Sequence, residues 1–122
     1  MPKHIRADDK PVVEFDPRLE ISPFALFRRL RDGNAPLLFD ARPEPAGRTL
    51  RGARPYPGDA EEWPDDRDIV LFDDDGDAAL PIVARLQEAG VQRARLLFGG
   101  LELYEFALDP EVVGADTFLD RL

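Results

Sequence analysis

Apolar residues along this chain occur either in short continuous runs or at helical spacing. The continuous runs are residues 37–39, 69–72 and 96–98. Runs of this length, bounded by glycine, proline or charged residues, predict strands that are buried on both faces. Helical spacing is found over residues 24–30, 79–89 and 101–106. Because strands and helices alternate, the pattern predicts a single α/β domain whose parallel sheet is covered by helices on both faces.

Short polar motifs predict where the helices begin and end. Ser22-Pro23 is a helix start, since serine caps the first turn and proline tolerates the first helical position. The sequence Asp32-Gly33-Asn34 predicts the end of that helix, and Gly90 the end of the next. Asp109-Pro110 predicts the end of a third helix, because the residue before a proline disfavours helical geometry.

The run 69–72 is followed by an acidic loop and then by a helix. The loop consists of Asp73, Asp74, Asp75, Gly76, Asp77 and Ala78. A strand, a loop with glycine and a helix form a βα junction, where parallel α/β sheets commonly hold their functional sites. Residues 73–78 are therefore the predicted site.

Composition limits the class of protein. A chain of 122 residues, 43% hydrophobic and 34% charged, has the size and balance of one globular domain. No apolar run has the length of a membrane span or of a signal-peptide core. The chain contains no cysteine, which excludes disulfides, thiolate metal sites and a cysteine nucleophile. These features predict a cytoplasmic protein, and no motif indicates a cofactor.

The net charge of −9 is concentrated in one segment. Residues 59–77 contain ten acids and a single base, Arg67, while acids and bases balance in the remainder. Such a field repels nucleic-acid phosphates and anionic membranes, so neither is expected as a partner. The most basic stretch, with Arg42, Arg48, Arg51 and Arg54, precedes it. These arginines are predicted to neutralise the aspartate loop from within the chain.

Four short motifs occur in the order and near the spacing found in rhodanese-like domains. They are residues 21–23 (Ile-Ser-Pro), 39–42 (Phe-Asp-Ala-Arg), 50–55 (Leu-Arg-Gly-Ala-Arg-Pro) and 98–104 (Phe-Gly-Gly-Leu-Glu-Leu-Tyr). Residues 19–108 thus resemble a rhodanese-like domain, the superfamily of the sulfurtransferases. The resemblance implies a central parallel sheet of five strands with flanking helices. Residues 1–18 would be an N-terminal extension, and residues 109–122 a C-terminal extension that packs on the domain.

The resemblance also places the active loop of that family, which follows the fourth strand, on residues 73–78. Asp73 stands at the position of the nucleophilic cysteine, and Ala78 at a position that usually holds an anion-binding arginine. The loop-shaping Gly76 is kept. A carboxylate cannot carry sulfane sulfur, so sulfurtransferase activity is not expected. The residues expected to support the loop are Asp40, Arg42, Arg48 and Arg51.

Two other families share the acidic motif. Residues 70–76 resemble the first motif of haloacid dehalogenase-type phosphatases, and residues 69–90 resemble the start of a receiver domain. Both need a lysine downstream, whereas Lys3 and Lys10 lie upstream of the loop. A divalent cation on Asp73, Asp75 and Asp77 is chemically reasonable, although the spacing is not that of an EF-hand.

The sequence therefore favours a protein without enzymatic activity, a rhodanese-like binding or regulatory module. Its partner would be another protein, and the acidic charge favours a basic one. The expected binding surface is the mouth formed by residues 73–78 and 42–54. The alternative is a metal-assisted or carboxylate-based hydrolase that uses the Asp73 to Asp77 cluster.

Overall fold

The computed structural model describes residues 4–5, 11–12, 14–58, 62–64 and 66–122. Asp59, Glu61 and Asp65 of the acidic segment lie outside these residues, as does half of the predicted N-terminal extension, residues 1–3, 6–10 and 13. Among the described residues, no helix combines the length and the apolar character that crossing a membrane requires.

Short strands and helices alternate along the chain. The strands are β1 (His4–Ile5), β2 (Pro11–Val12), β3 (Glu20–Ile21), β4 (Leu37–Asp40), β5 (Arg48–Leu50), β6 (Arg54–Pro55), β7 (Ile69–Phe72), β8 (Ala94–Leu97) and β9 (Leu119–Arg121). The helices are α1 (Pro23–Arg31), α2 (Leu80–Glu88), α3 (Gly100–Ala107) and α4 (Pro110–Val113).

Five parallel strands form the central sheet, in the order β3-β8-β7-β4-β6. The predicted parallel α/β sheet is thereby confirmed. The three apolar runs supply its middle strands, although β8 begins two residues before the run and ends at Leu97 rather than Phe98. The apolar pattern did not predict Ala94 and Arg95 as part of the strand, because the charged Arg95 interrupts the continuous apolar run.

Strand β7 lies at the centre of the sheet, and each of its four residues is at most 1% exposed. Val70 and Phe72 pack with α1 and α3 on one face. Ile69 and Leu71 pack with α2 on the other face, because successive strand residues point to opposite sides. The prediction that helices cover both faces is confirmed.

Helix α1 begins and ends as its sequence predicts. The Oγ of Ser22 accepts a hydrogen bond from the Ala25 amide at 3.2 Å, and Pro23 occupies the first turn. The helix ends at the C-cap Asp32, whose amide donates a hydrogen bond to the Arg28 carbonyl. The cap satisfies a backbone donor that the helix itself leaves unpaired.

The C-terminal segment folds back onto the domain. Strand β9 pairs antiparallel with β5, outside the central sheet. The hydroxyl of Tyr104, which is fully buried, donates to the carbonyl of Thr117. Burial raises the pKa of this phenol well above its ordinary value.

Helix α3 starts directly against the backbone of the loop that follows β7. Gly100 has a φ of +65°, and a Cβ at this position would lie 2.5 Å from the backbone carbon of Asp74. Only glycine permits both the left-handed backbone and this close approach. The second glycine of the pair 99–100 is therefore required for α3 to reach the loop.

We expect Gly100→Ala to destabilise the fold far more than Gly114→Ala. Both glycines have positive φ, at +65° and +71°, but no atom lies within 4 Å of a Cβ at Gly114. The shared backbone strain costs about 1–2 kcal/mol. The collision with Asp74 should add about 1–3 kcal/mol at Gly100 alone.

Urea unfolding of both variants, followed by the fluorescence of Trp63, the chain's single tryptophan, measures the difference. Trp63 is suitable because it packs on Phe39 and Tyr56 in the core beside α2. Equal losses of unfolding free energy in the two variants would show that the backbone at Asp74 shifts to accommodate the added Cβ without further loss of stability.

Candidate functional site

Asp73, the first residue after β7, turns its side chain into its own loop. The residue is only 4% exposed. One carboxylate oxygen accepts the Gly76 amide at 2.5 Å, and the other accepts the Ala79 amide at 2.9 Å. The loop 73–79 is thus wrapped around a carboxylate that the chain itself supplies.

The backbone of the same loop is held by the first turn of α3. The Leu101 amide donates to the Asp73 carbonyl and the Glu102 amide to the Asp74 carbonyl, both at 2.9 Å. These amides have no partner within their helix, so the contact satisfies donors and acceptors together. The loop is fixed between β7, the turn into α2 and the start of α3.

The other aspartates of the loop point to separate partners. Asp75 accepts the amide of Asp77 at 2.9 Å, whereas Asp74 turns toward Arg42 and Arg48. Over the residues that the structure describes, no three acidic or histidine side chains converge as ligands of a metal ion would. Of Asp73, Asp75 and Asp77, the residues of the hydrolase alternative, the first two thus have separate hydrogen-bond partners in this structure.

Arg42 connects the loop to the rest of the fold. Its guanidinium forms a two-pronged pair with the Asp40 carboxylate, with nitrogen–oxygen distances of 2.8 and 3.0 Å, and both side chains are 6% exposed. The remaining N–H groups donate to the carbonyls of Ala46 (2.9 Å) and Arg48 (2.6 Å) and to Asp74 (3.1 Å). Every donor of this side chain has an acceptor.

The hydrogen bonds to Asp40 raise the pKa of Arg42 above its already high ordinary value. Arg42 is therefore a permanent positive charge held beside the loop. Its N–H groups already donate to protein carbonyls and carboxylates. An incoming anion could reach it only by displacing a carbonyl or a carboxylate.

Arg48 provides a second positive charge at the loop. Its side chain is 17% exposed, and one terminal nitrogen lies 3.4 Å from the Asp74 carboxylate. Its Nε lies 3.3 Å from Glu105 of α3, outside hydrogen-bond alignment. Asp74 is thus the aspartate of the loop that arginines from the connection between β4 and β6 neutralise.

The structure corrects the assignment of Arg51 to this site. The Arg51 guanidinium binds Asp116 at 2.7 Å and Asp120 at 2.8 Å, both in the C-terminal segment. Its hydrogen bonds to Asp120 and Asp116 raise its pKa and lower theirs. The pairing of β5 with β9 places Arg51 there, and no local motif predicts that pairing.

Two clefts flank the loop. The first, of about 420 Å³, includes Arg42, Glu44, Asp73, Asp74 and Ala78 in its lining. The second, of about 460 Å³, lies on the α3 side of the loop. Sequence reasoning placed the binding surface on the first side and overlooked the second. The Gly99-Gly100 motif was the available signal, since it brings the first turn of α3 to the loop.

Glu20, at the edge of the second cleft, is a buried acid that the motifs did not indicate. It is 8% exposed, and its carboxylate accepts the Asp16 amide at 2.8 Å. Burial raises the pKa of Glu20, and this effect exceeds the opposing one of the hydrogen bond.

Comparison with known proteins identifies the fold and leaves the activity open. No protein-family model and no curated protein matches the chain. Among solved structures, the chain is similar to a protein from Lactobacillus plantarum, a structural-genomics target. The TM-score is 0.60 at 22% sequence identity, over 73% of this chain and 83% of that one. At this identity the similarity supports the α/β fold alone.

We expect Arg42→Ala and Asp40→Asn each to lower the free energy of unfolding by about 3 kcal/mol or more. Removing one member of a buried pair leaves the other charged and without its partner. Arg42→Ala also removes the hydrogen bonds to the Ala46 and Arg48 carbonyls that hold the connection between β4 and β5. Urea unfolding at neutral pH measures the loss.

Arg51→Ala is the matched control, because Arg51 also binds two acceptors but is 49% exposed. Exposed pairs contribute little to stability, so its loss should be clearly smaller. If Arg42→Ala and Asp40→Asn unfolded at the same urea concentration as the parent protein, the pair would have no structural role.

Proposed function

We propose that this chain is a rhodanese-like binding or regulatory module without sulfurtransferase activity. The position of the loop supports the rhodanese-like part of the proposal. Counted along the chain, β7 is the fourth of the five strands of the parallel sheet, after β3, β4 and β6. The active loop of the rhodanese-like family also follows its fourth strand.

The interaction of Asp73 with its own loop is the observation that carries the proposal. In a rhodanese the loop wraps its amides around a thiolate at a helix N-terminus. Here the Asp73 carboxylate occupies the corresponding amides, those of Gly76 and Ala79. A loop that binds its own fixed anion is stabilised in one conformation and offers these donors to no substrate.

The chemistry of the side chains agrees with this interpretation. Transfer of sulfane sulfur requires a persulfide, and the chain has no cysteine to form one. The cleft beside Asp73 is lined by Glu44, Asp74 and Asp75, which repel an anionic sulfur donor. Arg42 lies in the same cleft, but its donors are already bound. The binding role is the one we propose for the loop and its surroundings.

We expect Asp73→Cys alone to produce no thiocyanate from thiosulfate and cyanide. A carboxylate at about 7 Å in an effective dielectric of about 40 opposes a second negative charge by about 1 kcal/mol. Among the residues that the structure describes, neither Asp75 nor Asp77 pairs with an arginine, and together they outweigh a helix-dipole contribution of about 0.3–1 kcal/mol. The thiolate is therefore disfavoured, and so is the approach of the thiosulfate dianion.

The comparison variant carries Asp73→Cys together with Asp75→Ser and Ala78→Arg, which remove one negative charge and add a positive one. Robust turnover by Asp73→Cys alone would show that Arg42 and Arg48 already neutralise the loop. Two results with the parent protein would contradict the proposed function itself. They are thiocyanate formation above the blank, and Mg²⁺-dependent hydrolysis of a phosphate monoester that Asp73→Asn abolishes.

A further inference from the structure

The second cleft has an apolar floor. Leu80 of α2, Phe98 at the end of β8, and Leu103 of α3 contribute to it, and Phe106 stands at its edge. Phe106 is 84% exposed, an unusual state for so large an apolar side chain. Phe15 packs edge-on against Phe98, with ring centroids 5.4 Å apart, and supports that side of the cleft.

Acidic residues surround this floor. Asp75 and Asp77 of the loop and Glu102 in the first turn of α3 are exposed, and Glu20 is buried beside them. Among the described residues that line the cleft there is no lysine, arginine or histidine. The first cleft differs in this respect, since Arg42 lies within it. The exposed acids Asp75, Asp77 and Glu102 therefore line a cleft in which no basic side chain of the described lining offsets their charge.

We propose that this cleft docks a basic segment of a partner protein, in which an apolar side chain enters the cleft between flanking lysines or arginines. The apolar side chain of the segment packs on the floor, and burial of its surface against Phe98 and Leu103 favours binding. The exposed Asp77 and Glu102 then face the flanking positive charges. This inference rests on the proposed binding function and specifies the surface and the chemistry of the partner.

Three of the chain's arginines would have to break contacts within their own molecule to enter a second copy's cleft. Arg29 and Arg93 both pair with Asp68, at 2.8 and 3.0 Å. Arg95 donates to the carbonyls of Pro17 and Ala94. These arginines are engaged within their own molecule, and a separate basic segment fits the cleft without breaking such contacts.

The test uses a fluorescent peptide with one leucine between lysines and arginines, titrated with the complete chain. We expect saturable binding with a dissociation constant below about 1 mM, weakened by raising the salt concentration from about 20 to about 200 mM. A peptide with serine for the leucine should bind at least about five-fold more weakly, because the anchor is lost.

Two pairs of variants assign the binding to the cleft. Phe106→Ser should weaken binding about five-fold or more, whereas Val112→Ser, which changes a residue 80% exposed outside the cleft lining, should not. Glu102→Gln should weaken binding about two-fold, whereas Glu111→Gln, also in the first turn of a helix, should not. All four substitutions change exposed side chains, so we expect each variant to fold.

The inference is overturned if peptide binding does not saturate, or if Phe106→Ser and Val112→Ser weaken peptide binding equally. It is also overturned if the leucine and serine peptides bind alike, which would indicate charge attraction alone. Sedimentation that shows a dimer dissociated by Phe106→Ser would assign the cleft to a second copy instead. None of these results affects the proposed lack of sulfurtransferase activity, which the thiocyanate assay tests separately.

Discussion

The interaction on which this structure depends is the one between the Asp73 carboxylate and the amides of its own loop. Asp73 directly follows the buried strand β7, accepts the Gly76 and Ala79 amides through its side chain, and accepts the Leu101 amide through its carbonyl. One residue thus joins β7, the turn into α2 and the start of α3. Each of these groups would otherwise be a buried backbone donor or acceptor without a partner.

This arrangement links the stability of the loop to the chemistry that it can perform. A loop that directs several amides toward one point is suited to bind an anion, and here the anion is covalently part of the chain. Asp73 is buried and Arg42 is fully hydrogen-bonded, so neither is available to a ligand without breaking contacts. The contacts of both residues therefore fix the shape of the loop.

The charges of the loop are divided between its two sides. Arg42 and Arg48 meet Asp74 on the β4 side, Asp77 lines the cleft beside α3, and Asp75 lines both clefts. The neutralised side holds the loop in place. The acidic side, next to Phe106, has the combination of apolar surface and charge that is common at docking sites. The contacts that hold the loop and the surface that we propose for binding thus lie within a segment of a few residues.

The sequence predicted the sheet because burial leaves a strong pattern. The four apolar residues of β7 favour a strand that is covered on both faces. Ser22-Pro23 favours a helix start, because serine caps the first turn and proline fits it. The position of the aspartate loop followed from these elements. The rhodanese-like resemblance remains a prediction that the loop's position after the fourth strand supports.

The sequence could not distinguish the aspartates from one another. Asp73 and Asp75 have similar neighbours along the chain, and only the backbone turn decides that Asp73 points inward. The arginines were equally ambiguous. Arg48 and Arg51 are three residues apart, but the pairing with β9 directs Arg51 to the C-terminal segment. Contacts between distant segments leave no local signal.

Amide hydrogen exchange at Gly76 and Ala79 tests the central claim most directly. We expect both amides to be protected in the parent protein and to lose about ten-fold or more of that protection in Asp73→Ala, since a hydrogen bond to a charged group contributes about 1.5–3 kcal/mol. Amides of β7 should stay protected, and Asp77→Ala should leave Gly76 and Ala79 unchanged. If Gly76 and Ala79 exchanged equally fast in the parent protein and in Asp73→Ala, the carboxylate would not occupy the loop, and the account would be wrong.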